Sequence, residues 1–388
     1  MFFRREGDVK HGLAFDCGTA AVRAALFSYE EKDVFTRPTV NEVIRFPFES
    51  ISYSDSHFLK RKTLEGIRSV LDRIPYSYRP HEILIGLSSP FYNSKTVSIS
   101  RERSWPQKPI TKEEFDGIVT EAKEAYCKEA LKHVTSAELV PFTAIALRTY
   151  VNGYPVEQAA GTAGRILEFL VRFEATTSDV YHSVSELCTH RFAGSGIQMT
   201  SVTLANALAL RMLYGSEESF LVIDIGGEVS DVALVTGGVL QHTVSFPLGH
   251  ALLLREAAVL LGVSPADADF IVSRHKEHAL DHAKEKLLGP LIVEFEDMWR
   301  KKLLNILASY GEHYELPLRI LLVGGGVLPF HKELFAEDAF RNVLLRKNAS
   351  VECIMPSLLD RHFSKQAFQG VSDFGLASVT LLAARSVL

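Results

Sequence analysis

Two stretches of the chain repeat one pattern of apolar and polar positions. Residues 12–27 and 220–238 each read as an apolar strand, an Asp-x-Gly turn and a second apolar strand. When Asp16 is aligned on Asp224, the glycine two positions later matches as well. The stretches lie roughly half a chain apart, and 388 residues exceed what one small core needs. The pattern therefore predicts two similar lobes that face each other.

The chemistry of such a turn suits a phosphate group. A buried strand that ends in Asp and glycine lets backbone N–H groups approach phosphate oxygens closely. The Asp carboxylate can hold a hydrated divalent cation beside them. An ordinary β-hairpin is the alternative, because Gly-Gly is also common hairpin chemistry. Two matching turns favour the first interpretation, since they can grip one polyphosphate and its metal from opposite sides.

A third glycine-rich turn follows a buried strand late in the chain. The apolar run 318–323 leads directly into Gly324, Gly325 and Gly326. Glycines at the carboxyl end of a strand let a flat ring or a phosphate lie against bare backbone. A sharp turn from strand to helix is the alternative.

The remaining segments divide the chain into five parts. After Pro90 the pattern changes to strand, helix, strand, strand, with Thr111 and Glu114 forming a capping box at the start of the helix. This α+β unit has the size of an inserted subdomain. The predicted parts are a first lobe (1–87), the inserted subdomain (88–176), a return to the first lobe with a connecting helix (177–219), a second lobe (220–370) and a closing helix (371–388).

Composition narrows the class of protein. A hydrophobic fraction of 47% and a charged fraction of 23% are typical of soluble globular proteins, and a net charge of −5 indicates no nucleic-acid partner. Four widely spaced cysteines indicate neither a zinc site nor a disulfide framework, which favours a reducing cytosol. Residues 1–5 lack the apolar region of a secretory signal and are interpreted as a disordered terminus, with contact to a membrane surface as the alternative.

These motifs together resemble the two phosphate loops and the adenosine loop of the actin-like ATPase superfamily, whose lobes have a ribonuclease-H-like fold. Within that superfamily the order of parts resembles the cell-division protein FtsA and its pilus relative PilM. Both carry an inserted α+β subdomain, of the type named SHS2, where this chain has residues 88–176. Matches at 109–115, 151–155 and 237–244 favour FtsA. The resemblance implies an α/β, two-lobed actin-like fold with an inserted small α+β subdomain.

The resemblance also implies ATP and Mg²⁺ as cofactors and a set of site residues. Asp16 and Asp224 would position the magnesium through water. The helix around Glu294 and Asp297 would approach the ribose. The predicted nucleotide-facing residues are Asp16, Gly18, Thr19 and Ala20 from the first lobe, and Asp224, Gly226, Gly227, Glu228, Gly324, Gly325 and Gly326 from the second.

The chain departs from the family pattern in the second loop. The family usually continues Gly-Gly-Gly-Thr or Ser, whereas this chain has Glu228 and Val229 after two glycines. The Glu228 carboxylate is expected near the phosphates, where repulsion weakens binding; pointing away or helping the metal are the alternatives. Asn206 is the polar candidate for orienting a water molecule. The catalytic residues stay unassigned, and the sequence predicts at most a weak ATPase.

The predicted function is a nucleotide-binding, FtsA-like scaffold of cell division that assembles into filaments and recruits a tubulin-like division protein. The alternatives are a PilM-like cytoplasmic adaptor of a pilus or secretion machine, which binds the cytosolic peptide of a membrane protein, and a small-molecule kinase. Residues 380–388 read as a core helix, with no amphipathic membrane helix after them. The expected location is the cytoplasm or the inner face of the cell membrane, with membrane contact peripheral or through a partner.

Overall fold

The computed structural model describes residues 9–30, 37–48, 56–131, 138–276 and 279–385. The predictions for residues 1–5 and for the last three residues of the closing helix lie outside these ranges. The strands are β1 (Val9–Cys17), β2 (Ala21–Glu30), β3 (Thr39–Pro47), β4 (Glu82–Leu87), β5 (Asn93–Glu102), β6 (Leu139–Val151), β7 (Tyr154–Val156), β8 (Ile166–Thr177), β9 (Gly196–Ser201), β10 (Phe220–Ile225), β11 (Ser230–Thr236), β12 (Val239–Phe246), β13 (Arg319–Val323) and β14 (Ser350–Cys353). The helices are α1 (Ser56–Arg73), α2 (Lys112–Leu131), α3 (Ser178–Arg191), α4 (Val202–Tyr214), α5 (His250–Leu261), α6 (Pro265–Lys276), α7 (His282–Gly311), α8 (Pro329–Glu333), α9 (Asp338–Val343) and α10 (Phe374–Ala384).

The two lobes contain five-stranded sheets of the same topology. The first sheet has the order β3-β2-β1-β4-β9 and the second has the order β12-β11-β10-β13-β14. In each sheet the first three strands of this order form an antiparallel meander. The last two strands run parallel to β1 in the first sheet and to β10 in the second. The predicted two-lobed α/β fold is therefore confirmed. The repeated sequence pattern corresponds to β1 and β2 in the first sheet and to β10 and β11 in the second.

Alternation of side chains divides each sheet between two cores. In β1, Leu13 and Phe15 pack towards α1 and α3, whereas Ala14 belongs to a core shared with the second lobe. In β10, Leu221 and Ile223 pack in the core that includes α7, whereas Val222 joins the shared core. Successive side chains of a strand point to opposite faces, so each central strand must be apolar throughout.

The shared core is built around α4 and α10, which pack against each other and against both sheets. All of α10 is buried except Gly375, which is partly exposed, and it carries no charged side chain. A helix that is apolar on every side is stable only when it is buried on every side. These two helices therefore join the lobes, and their positions define the space between them.

The inserted unit forms a separate four-stranded antiparallel sheet, β5-β8-β6-β7, covered by α2. Buried charges connect it to both lobes. Arg172 lies 3.5 Å from Glu174 and donates to the Thr243 hydroxyl on β12 at 3.0 Å. Glu174 accepts from the backbone N–H of Ser201, the N-cap of α4, at 2.8 Å. Buried charges need such partners, so the position of this sheet is tied to β12 and α4.

Within the described part of the chain, no helix combines the length and apolar composition that a membrane crossing requires.

Candidate functional site

A cavity of about 290 Å³ lies between the lobes, where the three glycine-rich turns meet. A volume of this size is close to the lower end of the range for small-molecule sites. All the predicted nucleotide-facing residues except Glu228 line it. The predicted residues brought together here are Asp16, Gly18, Thr19, Ala20, Asp224, Gly226, Gly227, Gly324, Gly325 and Gly326.

The first two turns contact each other directly across the gap between the lobes. The backbone N–H of Glu228 donates to the Thr19 hydroxyl at 3.0 Å. A Cβ atom on Gly227 would lie 2.7 Å from the Cβ of Ala20, too close for any side chain. Glycine at this position is required because the two turns approach so closely.

The third turn packs against the end of β10. Gly324 has a φ of +95°, and a Cβ there would lie 2.4 Å from Oδ1 of Asp224. The N–H of Gly326 donates to the carbonyl of Ile225 at 2.9 Å. The glycine run therefore lets β13 leave the sheet directly beside Asp224, and it leaves bare backbone facing the cavity.

The carboxyl group of the first hairpin has a cationic partner. Asp16 is buried, and Arg23 approaches it with Nη1 3.2 Å from Oδ2. Burial raises the pKa of Asp16, and the Arg23 guanidinium opposes that rise. Arg23 also lies 4.0 Å from Asp373, which Arg45 binds at 2.6 Å. Arg23, which lines the cavity, therefore lies between the carboxylates of Asp16 and Asp373.

The carboxyl group of the second hairpin has a different environment. Burial, then the nearby Asp231 and Asp16 carboxyl groups, raise the pKa of Asp224 to about 7. Asp231 is buried too, and burial raises its pKa although the Ser245 hydroxyl donates to it. The second-lobe side therefore concentrates negative charge, and a cation bound there would be stabilised.

Asn206, predicted as a polar candidate on α4, lies next to Asp224. Its Nδ2 donates to Oδ2 of Asp224 at 3.2 Å. Its Oδ1 is buried and has no hydrogen-bond partner. A buried acceptor without a donor is costly, whereas the water shell of a magnesium ion would supply donors to this oxygen and to both carboxylates. The residues present therefore fit a hydrated Mg²⁺ ion.

No group of three or more His, Cys, Asp and Glu side chains among the residues that the structure describes is arranged to hold a metal directly.

The charged residues Arg23 and Asp231 are among the cavity residues that sequence reasoning missed. Each lies directly across a hairpin from the Asp of the repeated pattern: Asp16 pairs with Arg23 and Asp224 with Asp231. The spacing could have identified both residues, because each comes seven positions after its Asp and the two hairpins have turns of equal length. Directly opposite residues on an antiparallel pair interact.

The structure corrects the expectation that the Glu228 carboxylate faces the phosphates. Arg255 of α5 donates to this carboxylate from Nη1 at 2.5 Å and from Nη2 at 2.8 Å, and Glu228 does not line the cavity. A two-bond arginine–carboxylate pair is a strong interaction, and it holds the side chain away.

The predicted approach of α7 to a ribose finds no support in the cavity. Neither Glu294 nor Asp297 lines it. Asp297 instead forms an ion pair with Arg300, one turn further along the same helix.

Comparisons with known proteins agree with this geometry. No protein-family model matches the chain. Over 171 residues it is 25% identical to cell division protein FtsA of Escherichia coli strain K12, a match that covers 44% of this chain and 38% of FtsA. FtsA of Shigella flexneri matches with the same identity over 37% of its length. The matched stretch thus spans less than two fifths of these relatives.

A solved structure matches over the whole length. A chain of the PilM–PilN type IV pilus biogenesis complex superposes with a TM-score of 0.60 and 16% identity, covering 99% of this chain and 100% of that one. The fold is therefore that of the actin-like ATPase superfamily. Within that superfamily, the similarities are to FtsA in sequence and to PilM in structure, in agreement with the resemblance found in the sequence.

Proposed function

We propose that the protein is a nucleotide-binding, actin-like scaffold of the FtsA/PilM type. The observation that carries this proposal is the convergence of three turns on one cavity. The Asp16 and Asp224 hairpins face each other, and the run 324–326 lies beside them. The lobes also touch at this point, through the hydrogen bond between Thr19 and Glu228. A bound polyphosphate would therefore contact both lobes at once.

The residues have separate roles in this proposal. Backbone N–H groups of residues 18–20 and 226–227 bind phosphate oxygens. Asp16, Asp224 and the free Oδ1 of Asn206 hold the water shell of Mg²⁺, which neutralises phosphate charge when bound. The bare backbone of 324–326 supports the adenosine. The five segments predicted from the sequence, bounded at 87, 176, 219 and 370, are retained as the proposed domain organisation.

The proposed activity is at most a weak ATPase. A general base needs a free acceptor near the attacking water. In this proposal Asp16 and Asp224 hold the water shell of the metal, and Asp231 accepts from the Ser245 hydroxyl, so no cavity carboxylate is assigned to the attacking water. This arrangement favours a protein that binds nucleotide to set its conformation over a kinase with rapid turnover.

Two partner assignments follow from the two similarities. An FtsA-like protein would assemble into filaments and recruit a tubulin-like division protein at the inner face of the cell membrane. A PilM-like protein would bind the cytosolic peptide of a membrane protein. Superposition over 99% of the chain on a protein of the PilM–PilN complex favours the second assignment, and the sequence match favours the first.

Titration calorimetry with Mg-ATP tests the proposed site. We expect micromolar binding by the unchanged protein and binding at least about 100-fold weaker by Asp224→Ala, because the variant loses a carboxylate that holds the metal. Glu294→Ala is the matched control, since Glu294 is exposed and lies outside the cavity. Equal affinity of the Asp224 variant would place the nucleotide elsewhere, and no binding by the unchanged protein would overturn nucleotide binding.

A further inference from the structure

A second cavity lies between α4 and α10, further along both helices than the nucleotide cavity, which is lined by residues near their first turns. Its volume is about 270 Å³. We name it the α4–α10 slot. Its walls are mostly apolar, with small residues between larger ones. The lining residues are Ala205, Leu208, Ala209, Arg211, Met212, Ser216, Ser378, Leu381, Leu382 and Arg385.

An arginine lies at the α4 end of the slot. Arg211 is half-buried, and it forms no ion pair with a carboxylate of the described residues. Burial and the nearby Arg148 lower the pKa of Arg211, while Glu217 opposes this effect. Glu217 is itself engaged by Arg148, through two contacts of 2.7 Å. This end of the slot therefore has an excess of positive charge.

Positive charge also surrounds the α10 end. Arg385 lines the slot, and burial lowers its pKa. Burial, then the charges of Arg361, Arg385 and Arg37, lower the pKa of the neighbouring His362. Glu352 of β14 accepts a hydrogen bond from the Tyr214 hydroxyl at 2.9 Å. A slot with apolar walls and cationic ends is complementary to a ligand that is apolar in the middle and acidic at its edge.

We propose that the α4–α10 slot binds an acidic, apolar peptide segment of a partner protein. Apolar side chains of the segment lie between Leu208 and Met212 on one helix and Leu381 and Leu382 on the other. Its carboxylates pair with Arg211 and neighbouring arginines, as grooves and arginine clusters do in other peptide-recognition sites. The inference rests on the proposed scaffold function and deepens it, because it names the binding site and the chemical class of a recruited peptide.

Selection from a displayed library of random dodecapeptides, with the nucleotide-free protein as bait, tests the inference. We expect the selected peptides to combine at least two bulky apolar residues with at least one Asp or Glu. Measured by fluorescence polarisation, their affinity should fall at least tenfold in Arg211→Glu and in Ala209→Trp, which fills the slot. Arg68→Glu is the control, because Arg68 is an exposed basic residue on α1, away from the slot.

Several results would overturn the inference. They are a library that yields no binding peptide, peptides without acidic residues, and peptides whose affinity is unchanged in both slot variants. If Ala209→Trp does not fold, Arg211→Glu still tests the inference, because it changes the charge of a half-buried side chain without filling the slot. Binding to phosphatidylglycerol vesicles that depends on Arg211, with no peptide selected, would assign the slot to lipid instead. Because the bait contains no nucleotide, failure of the ATP titration leaves this test intact.

Discussion

The two Asp-x-Gly hairpins have turns of the same length and place their Asp at the same distance from the turn, but the residue opposite the Asp differs in charge. Asp16 lies opposite Arg23, and Asp224 lies opposite Asp231. In the first hairpin the cation opposes the effect of burial on the pKa of Asp16. In the second, a like charge adds to burial and raises the pKa of Asp224 to about 7. The same backbone motif thus supports two electrostatic environments.

This difference indicates that the cavity is asymmetric. In the first hairpin Arg23 forms an ion pair with Asp16, whereas no ion pair with a described cation is formed by Asp224 or Asp231, and Arg23 only partly opposes the rise in the pKa of Asp224. Arg255 of α5 forms its ion pair with Glu228, in the turn of the second hairpin. Asp224 would therefore contribute more than Asp16 to holding a hydrated cation.

The largest effect on stability is expected from breaking the ion pair between Arg255 and Glu228. Arg255→Ala leaves the Glu228 carboxylate buried without a partner, which costs about 3–5 kcal/mol of unfolding free energy. Urea unfolding measures this loss. The double variant Arg255→Ala with Glu228→Gln should recover much of it, because the unpaired charge is gone. A loss below about 1 kcal/mol in the single variant would mean that water already solvates Glu228.

The next effect is the dependence of stability on pH. The pKa of Asp224 is about 7 in the folded protein and near 3.8 when unfolded. Between these two pH values the folded state keeps a proton that the unfolded state has lost. Stability therefore falls as pH rises through the window, by about 4 kcal/mol in all and by about 3 kcal/mol between pH 5 and pH 8. Without magnesium, Asp224→Asn should remove this fall, as measured by unfolding at pH 5 and pH 8.

The first hairpin provides the comparison for this pH experiment. Asp16→Asn should flatten the profile less than Asp224→Asn, because Arg23 already opposes the rise in the pKa of Asp16. Equal flattening by the two variants would contradict the asymmetry of the cavity.

The smallest effect concerns the amide beside Asp224. Asn206→Ala removes the hydrogen bond of 3.2 Å to Asp224. At pH 8, where the carboxyl group is charged, the loss of unfolding free energy should be about 1–2 kcal/mol, and it should be smaller at pH 5. Thermal unfolding at both pH values checks this. A loss independent of pH would show that the amide acts through packing and not through the Asp224 charge.

Local sequence determined the elements and their repetition. The apolar runs before Asp16 and Asp224 predict buried strands, and the turn glycines predict hairpins, because both depend on neighbouring residues alone. The equal patterns predict two lobes of one topology. The order of strands and helices in 88–176 predicts a separate α+β sheet, which the structure contains as β5 to β8 with α2.

Only the tertiary structure decided where side chains from distant segments meet. Glu228 points away from the cavity because Arg255, on the next helix, binds it. The α4–α10 slot exists because helices that begin at Val202 and Phe374 pack side by side. Turn and strand preferences act over a few residues, whereas charge pairing and burial depend on contacts through space. The sequence alone therefore determined the lobes and the turns, and the packing of the lobes decided the charges around the cavity.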